Sequence, residues 1–310
     1  MHDQITLRSG DLYASVSPFG ARLNALRYQG TSVILEADPA THPTWHDVYP
    51  GAIVGPVANR VRGGQLTLSD TSYQMPCNEN GMTALHSGPE GLDRRHWAIM
   101  AQSDSHLHLQ CRLADGDGGL PGNRVINVSY VIENATLTLD ITATTDAPTP
   151  ISIAHHPYWR LGDAADHRLL VRATHYLPVD DTNLPTGQIA PVDSTALDHR
   201  TSHPLDSATD HNLCVANAPR RTPEHVATLT GTDELCLTLH STEPGLQIYS
   251  GAYLPTLPGT DIAPLAGIAL EPQGWPDAVN YAAFPSVICT PDRPYHQITR
   301  YTLNRAPSAT

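Results

Sequence analysis

The run Ala266-Gly267-Ile268-Ala269-Leu270-Glu271-Pro272-Gln273 places a carboxylate at the end of an apolar stretch, and the proline after it holds Glu271 in extended geometry. If the side chain turns inward, burial raises its pKa toward neutrality, the condition for a general base. If it turns outward, it is an ordinary exposed strand end. In Ile151-Ser-Ile-Ala-His155-His156-Pro157-Tyr158-Trp159 two adjacent histidines meet aromatic residues. Successive side chains on a strand point to opposite faces, so only one of the two enters a given site and the pair does not grip one metal ion.

Three further groups carry polar side chains suited to hydroxyl-rich ligands. Val57-Ala-Asn59-Arg60-Val61-Arg62-Gly63-Gly64 joins Asn and Arg to a glycine pair that permits close backbone approach. Leu85-His86-Ser87-Gly88 and Asp210-His211-Asn212 are shorter, and each taken alone reads as a turn.

The elements that must position these residues are strands. In His106-Leu107-His108-Leu109-Gln110-Cys111-Arg112 polar and apolar residues alternate, as a half-buried strand requires. Comparable runs cover 4–8, 125–132, 136–144, 234–240 and 297–303, each near Gly, Pro, Asn or Asp. No 3.6-residue pattern is sustained. The best helical turn follows Pro276, read as a first helical position. Many strands without a fixed repeat predict an all-β chain, a large sandwich of antiparallel sheets. The segment 181–222, rich in Pro, Thr, Asp and Asn, reads as a long loop region within a single domain spanning 1–310.

Bulk properties narrow the classes. The 310 residues include 18 Lys and Arg against 31 Asp and Glu, a net charge of -13 that repels nucleic acid and anionic membranes. The five cysteines contain no C-x-x-C pair and read as reduced thiols. No eighteen consecutive apolar residues occur, and the N-terminus has no signal-like pattern, so cytoplasmic residence is expected. The composition identifies no interface, and the oligomeric state stays open.

Taken in order, these pieces resemble the aldose 1-epimerase (galactose mutarotase) family. The landmarks are Asn59-Arg60 before a Gly pair, the Leu85-His86-x-Gly88 step, His156-x-Tyr158, Asp210-His211-Asn212, and Gln247-Ile-Tyr249-Ser-Gly251. The most specific is Leu270-Glu271-Pro272-Gln273-Gly274-Trp275-Pro276-Asp277-Ala278-Val279-Asn280, followed by Phe284-Pro285. The resemblance covers roughly 6–303 and implies that family's β-supersandwich with a sugar cleft on one face. It implies interconversion of the α and β anomers of a free hexose or pentose, with no cofactor and no metal. By the same resemblance Glu271 falls on the general base at O1 and a protonated His156 on the general acid at O5. Asn59, Arg60, His86, Asp210 and Gln247 fall on positions that bind sugar hydroxyls or orient the reacting groups, and Tyr158 and Trp159 border the cleft. Ser87, His155 and Arg160 depart from the family's usual Gly, Asn and Asn, at positions expected to border the pocket.

Two other functions fit the same pieces. A hexose-6-phosphate mutarotase needs extra cations at the C6 end, for which Arg62, Arg94 and Arg95 are candidates. A non-catalytic carbohydrate-binding protein needs the cleft without turnover. A metal-dependent sugar enzyme would need convergent ligands; His106 and His108 share a strand face, but the polar one.

Overall fold

The computed structural model describes residues 4–37 and 42–305. Where the sequence alternates, the chain is extended. His106–Leu113 alternates half-exposed with buried side chains, and Arg124–Glu133 and Thr136–Thr145 do the same over ten residues each. With Ala98–Gln102, Tyr295–Arg305, Leu235–Ser241, Glu224–Thr230 and Arg168–Val171 they form an eight-stranded sheet, antiparallel at every pairing.

A six-stranded sheet runs Tyr158–Trp159, Ile268–Gln273, Gly245–Tyr249, Asp210–Cys214, His175–Tyr176 and Ala190–Pro191. A third sheet, four-stranded, takes Ile5–Ser9, Leu12–Ser17, Arg22–Tyr28 and Thr31–Ser32. One apolar core draws on all three, from Leu7 through Leu139, Trp159, Leu239, Ile248 and Leu270 to Leu303. Each large aliphatic or aromatic side chain so buried contributes about 1.5–3 kcal/mol. The all-β antiparallel architecture expected from the alternation is thus present.

Strand Ile268–Gln273 is buried on both faces. Ile268 and Leu270 face the core, so alternation sends Ala269, Glu271 and Gln273 to the other side, where the cleft lies. This explains how an apolar run can end in an inward carboxylate.

Two expectations are corrected. Asp210–Cys214, inside the segment read as loop, is an inner strand paired with Gly245–Tyr249 on one side and His175–Tyr176 on the other. Its last three residues are buried on both faces, so it shows no alternating pattern. The turn after Pro276 is a 3-10 turn, Ala278–Asn280, preceded by Asp277 at φ 56, and Pro276 stands outside it. No described helix is long and apolar enough to cross a membrane.

Candidate active site

Glu271, Gln247 and Asp210 are brought together by strand register. Gln247 lies opposite Glu271 in one antiparallel pairing, and Asp210 lies opposite Tyr249 in the next. The Gln247 amide donates to Asp210 Oδ1 at 2.6 Å. These residues, with Asn59, Arg60, His86, His156 and Tyr158, line a cleft of about 340 Å³. All eight positions singled out in the sequence therefore meet at one place.

His156 and Glu271 sit at the bottom, both buried, with His156 Nε2 3.5 Å from Glu271 Oε1. Glu271 Oε2 and His156 Nδ1 have no protein hydrogen-bond partner. Burial pushes the His156 imidazole down to about 4. It holds the Glu271 carboxyl well above its usual range, with Asp210 adding to the rise and Arg60 opposing it. Loss of solvation disfavours both charged forms, so burial acts against the protonated His156 and the ionised Glu271 that the expected roles require.

His86 is oriented by backbone. It adopts φ 52, its Nδ1 accepts from the Asn59 N–H at 3.1 Å, and its own N–H donates to the Asn59 carbonyl at 3.0 Å. Burial holds it neutral. With Nδ1 accepting, the proton of the neutral ring is on Nε2, so His86 presents a donor. The ligand atoms of His86, His156 and Glu271 lie within 4.8 Å of one another, a spacing a metal ion could use. The chemistry of the donor set does not suit one: a metal needs the lone pair of the His86 nitrogen that carries the proton.

Arg60 is held by the Glu79 carboxylate through two bonds of 2.9 Å and by Asp210 at 3.4 Å. The Tyr158 hydroxyl donates to the Val48 carbonyl at 2.9 Å, leaving its ring to wall the cleft between His156 and Tyr249. Trp159 does not border the cleft. Alternation turns it into the core, where its ring centroid is 4.8 Å from that of Tyr301.

The three departures from the family pattern lie outside the cleft lining. The Ser87 hydroxyl accepts from the Val57 N–H and donates to the Val57 carbonyl. His155 turns away from His156 to meet Tyr301 at 3.3 Å. Arg160 pairs with Asp261. The expectation that they border the pocket is corrected: strand alternation and local pairing take all three elsewhere.

Cleft residues the sequence reading passed over are Glu79, Tyr49, Asn183, Tyr249 and Tyr253. Tyr249 stood within a landmark. Tyr49, edge-on to His86 with ring centroids 4.6 Å apart, sits in left-handed backbone at φ 56, which nothing local in the sequence announces.

Fold and site together define a class, a β-sandwich whose cleft holds a buried carboxyl 3.5 Å from a buried imidazole among polar and aromatic side chains. A family model, aldose 1-epimerase, matches residues 3–302. The galactose mutarotase of Rattus norvegicus is 30% identical over 98% of this chain and 94% of its own. The aldose 1-epimerase of Escherichia coli K12 is 30% identical over 81% of this chain and 79% of its own. Among solved structures, a GalM/aldose epimerase homologue from C. elegans superposes with a TM-score of 0.91 at 27% identity, covering 99% of this chain and 100% of that one. The chain belongs to the aldose 1-epimerase family, a family of isomerases.

Proposed function

We propose that this enzyme interconverts the α and β anomers of an unphosphorylated aldose, with Glu271 and His156 exchanging protons with the sugar. The observation that carries the reading is the 3.5 Å approach of His156 Nε2 to Glu271 Oε1 at the bottom of the cleft. The anomeric hydroxyl O1 and the ring oxygen O5 are bonded to one carbon, so two groups standing this close can serve both. In the ring-opening step Glu271, ionised, takes the O1 proton while His156, protonated, delivers one to O5. The C1–O5 bond breaks and C1 becomes the aldehyde. Rotation about C1–C2 and return of both protons close either anomer.

The open-chain stage leaves Glu271 protonated and His156 neutral, the distribution that burial favours in the empty site. His86, as an Nε2–H donor, and Arg60 stabilise charge on the oxygens, and Asn59, Asp210 and Gln247 bind hydroxyls. No step needs a cofactor or a metal.

A free sugar is favoured over a hexose 6-phosphate because the candidate phosphate-binding arginines are already paired. Arg62 meets Asp180, Arg94 meets Asp47 and Asp93, and Arg95 meets Asp117 and Glu90. None of the three lines the cleft, whose one arginine is bound by Glu79 and Asp210. The whole chain acts as one domain in this reading, supported by a core that runs from Leu7 to Leu303. Residence in the cytoplasm rests on five unpaired cysteines, which suit a reducing compartment.

The test is NMR exchange between anomers of galactose, glucose, xylose and arabinose, beside the spontaneous rate. Wild type accelerates at least one, and Glu271→Gln or His156→Ala lowers kcat by about 10²–10⁴-fold. A folded wild type that accelerates none, or that acts only on 6-phosphates, overturns the proposal.

A further inference from the structure

Behind the cleft, strand Tyr295–Arg305 turns Tyr295, Gln297, Thr299 and Tyr301 toward the six-stranded sheet. The Tyr295 hydroxyl accepts from the Ile153 N–H at 3.3 Å, three residues before His156. It lies 3.0 Å from Glu243 Oε1 and 3.0 Å from Gln297 Oε1. Gln297 in turn donates to the Pro272 carbonyl at 3.0 Å, one residue after Glu271. Glu243 precedes strand Gly245–Tyr249, which carries Gln247. One hydroxyl thus joins the three segments that bear His156, Glu271 and Gln247, none of which it touches at the reacting atoms.

Resting on the reading of Glu271 and His156 as the proton-exchanging pair, we infer that Tyr295, with Glu243 and Gln297, is a rear clamp that sets the separation of that pair. These are positioning residues. A hydrogen-bond count shows how the clamp works. Tyr295 has one proton but two carboxyl or amide oxygens in reach, so both contacts are made only if Glu243 is protonated and donates to Tyr295, which then donates to Gln297.

Burial supports that state by raising Glu243 to about 7, against the lowering effect of Tyr295. Glu243 borders a cavity of about 220 Å³ that shares no lining residue with the catalytic cleft, where Cys289, Arg293 and His296 are the other residues of ionisable type besides Tyr295. When Glu243 ionises, Tyr295 turns its proton to the carboxylate. Gln297 can then reach Tyr295 only by presenting its NH2, which takes that donor from the Pro272 carbonyl. The clamp lets go of the Glu271 segment.

The experiment uses the full chain and an aldose that wild type turns over. Tyr295→Phe is expected to lower kcat about tenfold or more with KM within about twofold, since misplacing reacting groups costs turnover rather than hydroxyl binding. Glu243→Gln keeps a donor for Tyr295 and is expected to hold wild-type kcat at pH 6 while losing the decline that wild type shows as pH passes about 7. Ring nitrogen shifts of His156, read by NMR without sugar, should titrate differently in Tyr295→Phe than in wild type. That readout separates failure of the clamp from failure of the catalytic reading. Unchanged kcat and unchanged His156 titration in Tyr295→Phe overturn the inference. Should Tyr295→Phe not fold, a Glu243→Gln profile identical to wild type overturns it equally, and loss of the decline supports it.

Discussion

Glu271 and His156 stand 3.5 Å apart and in the proposed reaction work with one proton between them, so the pH profile belongs to the pair rather than to either residue. Activity is lost at the acid end when the pair takes a second proton, a step burial pushes down to about 4 on His156. It is lost at the basic end when the pair gives up its only proton, a step that burial of Glu271 and nearby Asp210 push upward. A bell in kcat/KM follows, and a flat profile from pH 3.5 to 9 with chemistry rate-limiting would remove the pair from the mechanism. Glu79 is tested at the same scale. Both of its oxygens hold Arg60, so Glu79→Ala should raise KM about tenfold, the loss of one charge-assisted positioning contact, with a smaller change in kcat. Steady-state kinetics on the preferred sugar decide it.

At the scale of elements, the site depends on register. Glu271 faces Gln247 because Gly245 pairs with Gln273 and Cys214 with Gly245. A Cβ on Gly245 would come 2.5 Å from Asn212 Oδ1 and 2.9 Å from the Gln273 carbonyl, too close for the three strands to keep their places. Gly245→Ala is therefore expected to destabilise the fold by about 1–3 kcal/mol. It should also lower kcat more than a distant substitution of equal cost, as denaturant unfolding and kinetics side by side would reveal. Equal stability with full activity would mean the sheet absorbs the methyl.

The whole molecule carries an unusual load of buried imidazoles. His155 is held down to about 3, and His156, His167 and His199 to about 4, all by burial. Unfolded histidine titrates near 6.5. Because the folded values are depressed, the unfolded chain binds more protons below pH 6.5, and the stability these groups contribute is present above that pH and lost as it falls toward 4. Glu243 works in the opposite sense between about 4.5 and 7. His155, which meets Tyr301 and not the cleft, isolates one such contribution. In His155→Asn the slope of unfolding free energy against pH between 4 and 6.5 should fall by about 1.4 kcal/mol per pH unit. An unchanged slope in calorimetry would mean His155 is solvated.

Much of this was legible in the chain itself. Period-two alternation marked the long strands of the eight-stranded sheet, because each presents one face to the core and one to solvent. The proline after Glu271 and the paired histidines marked the reacting groups, because backbone restriction and strand geometry act locally. Strand Asp210–Cys214 escaped notice because it is short and its last three residues are buried on both faces, so it shows no alternation, and Glu79 and Tyr49 escaped because their roles are set by partners far along the chain. Residue identities and local geometry determined which groups are candidates for chemistry. Only the packed sheets decided that Trp159 turns inward and that Ser87, His155 and Arg160 leave the cleft. Burial, a property of the assembled molecule, likewise decided that both Glu271 and His156 lose solvation.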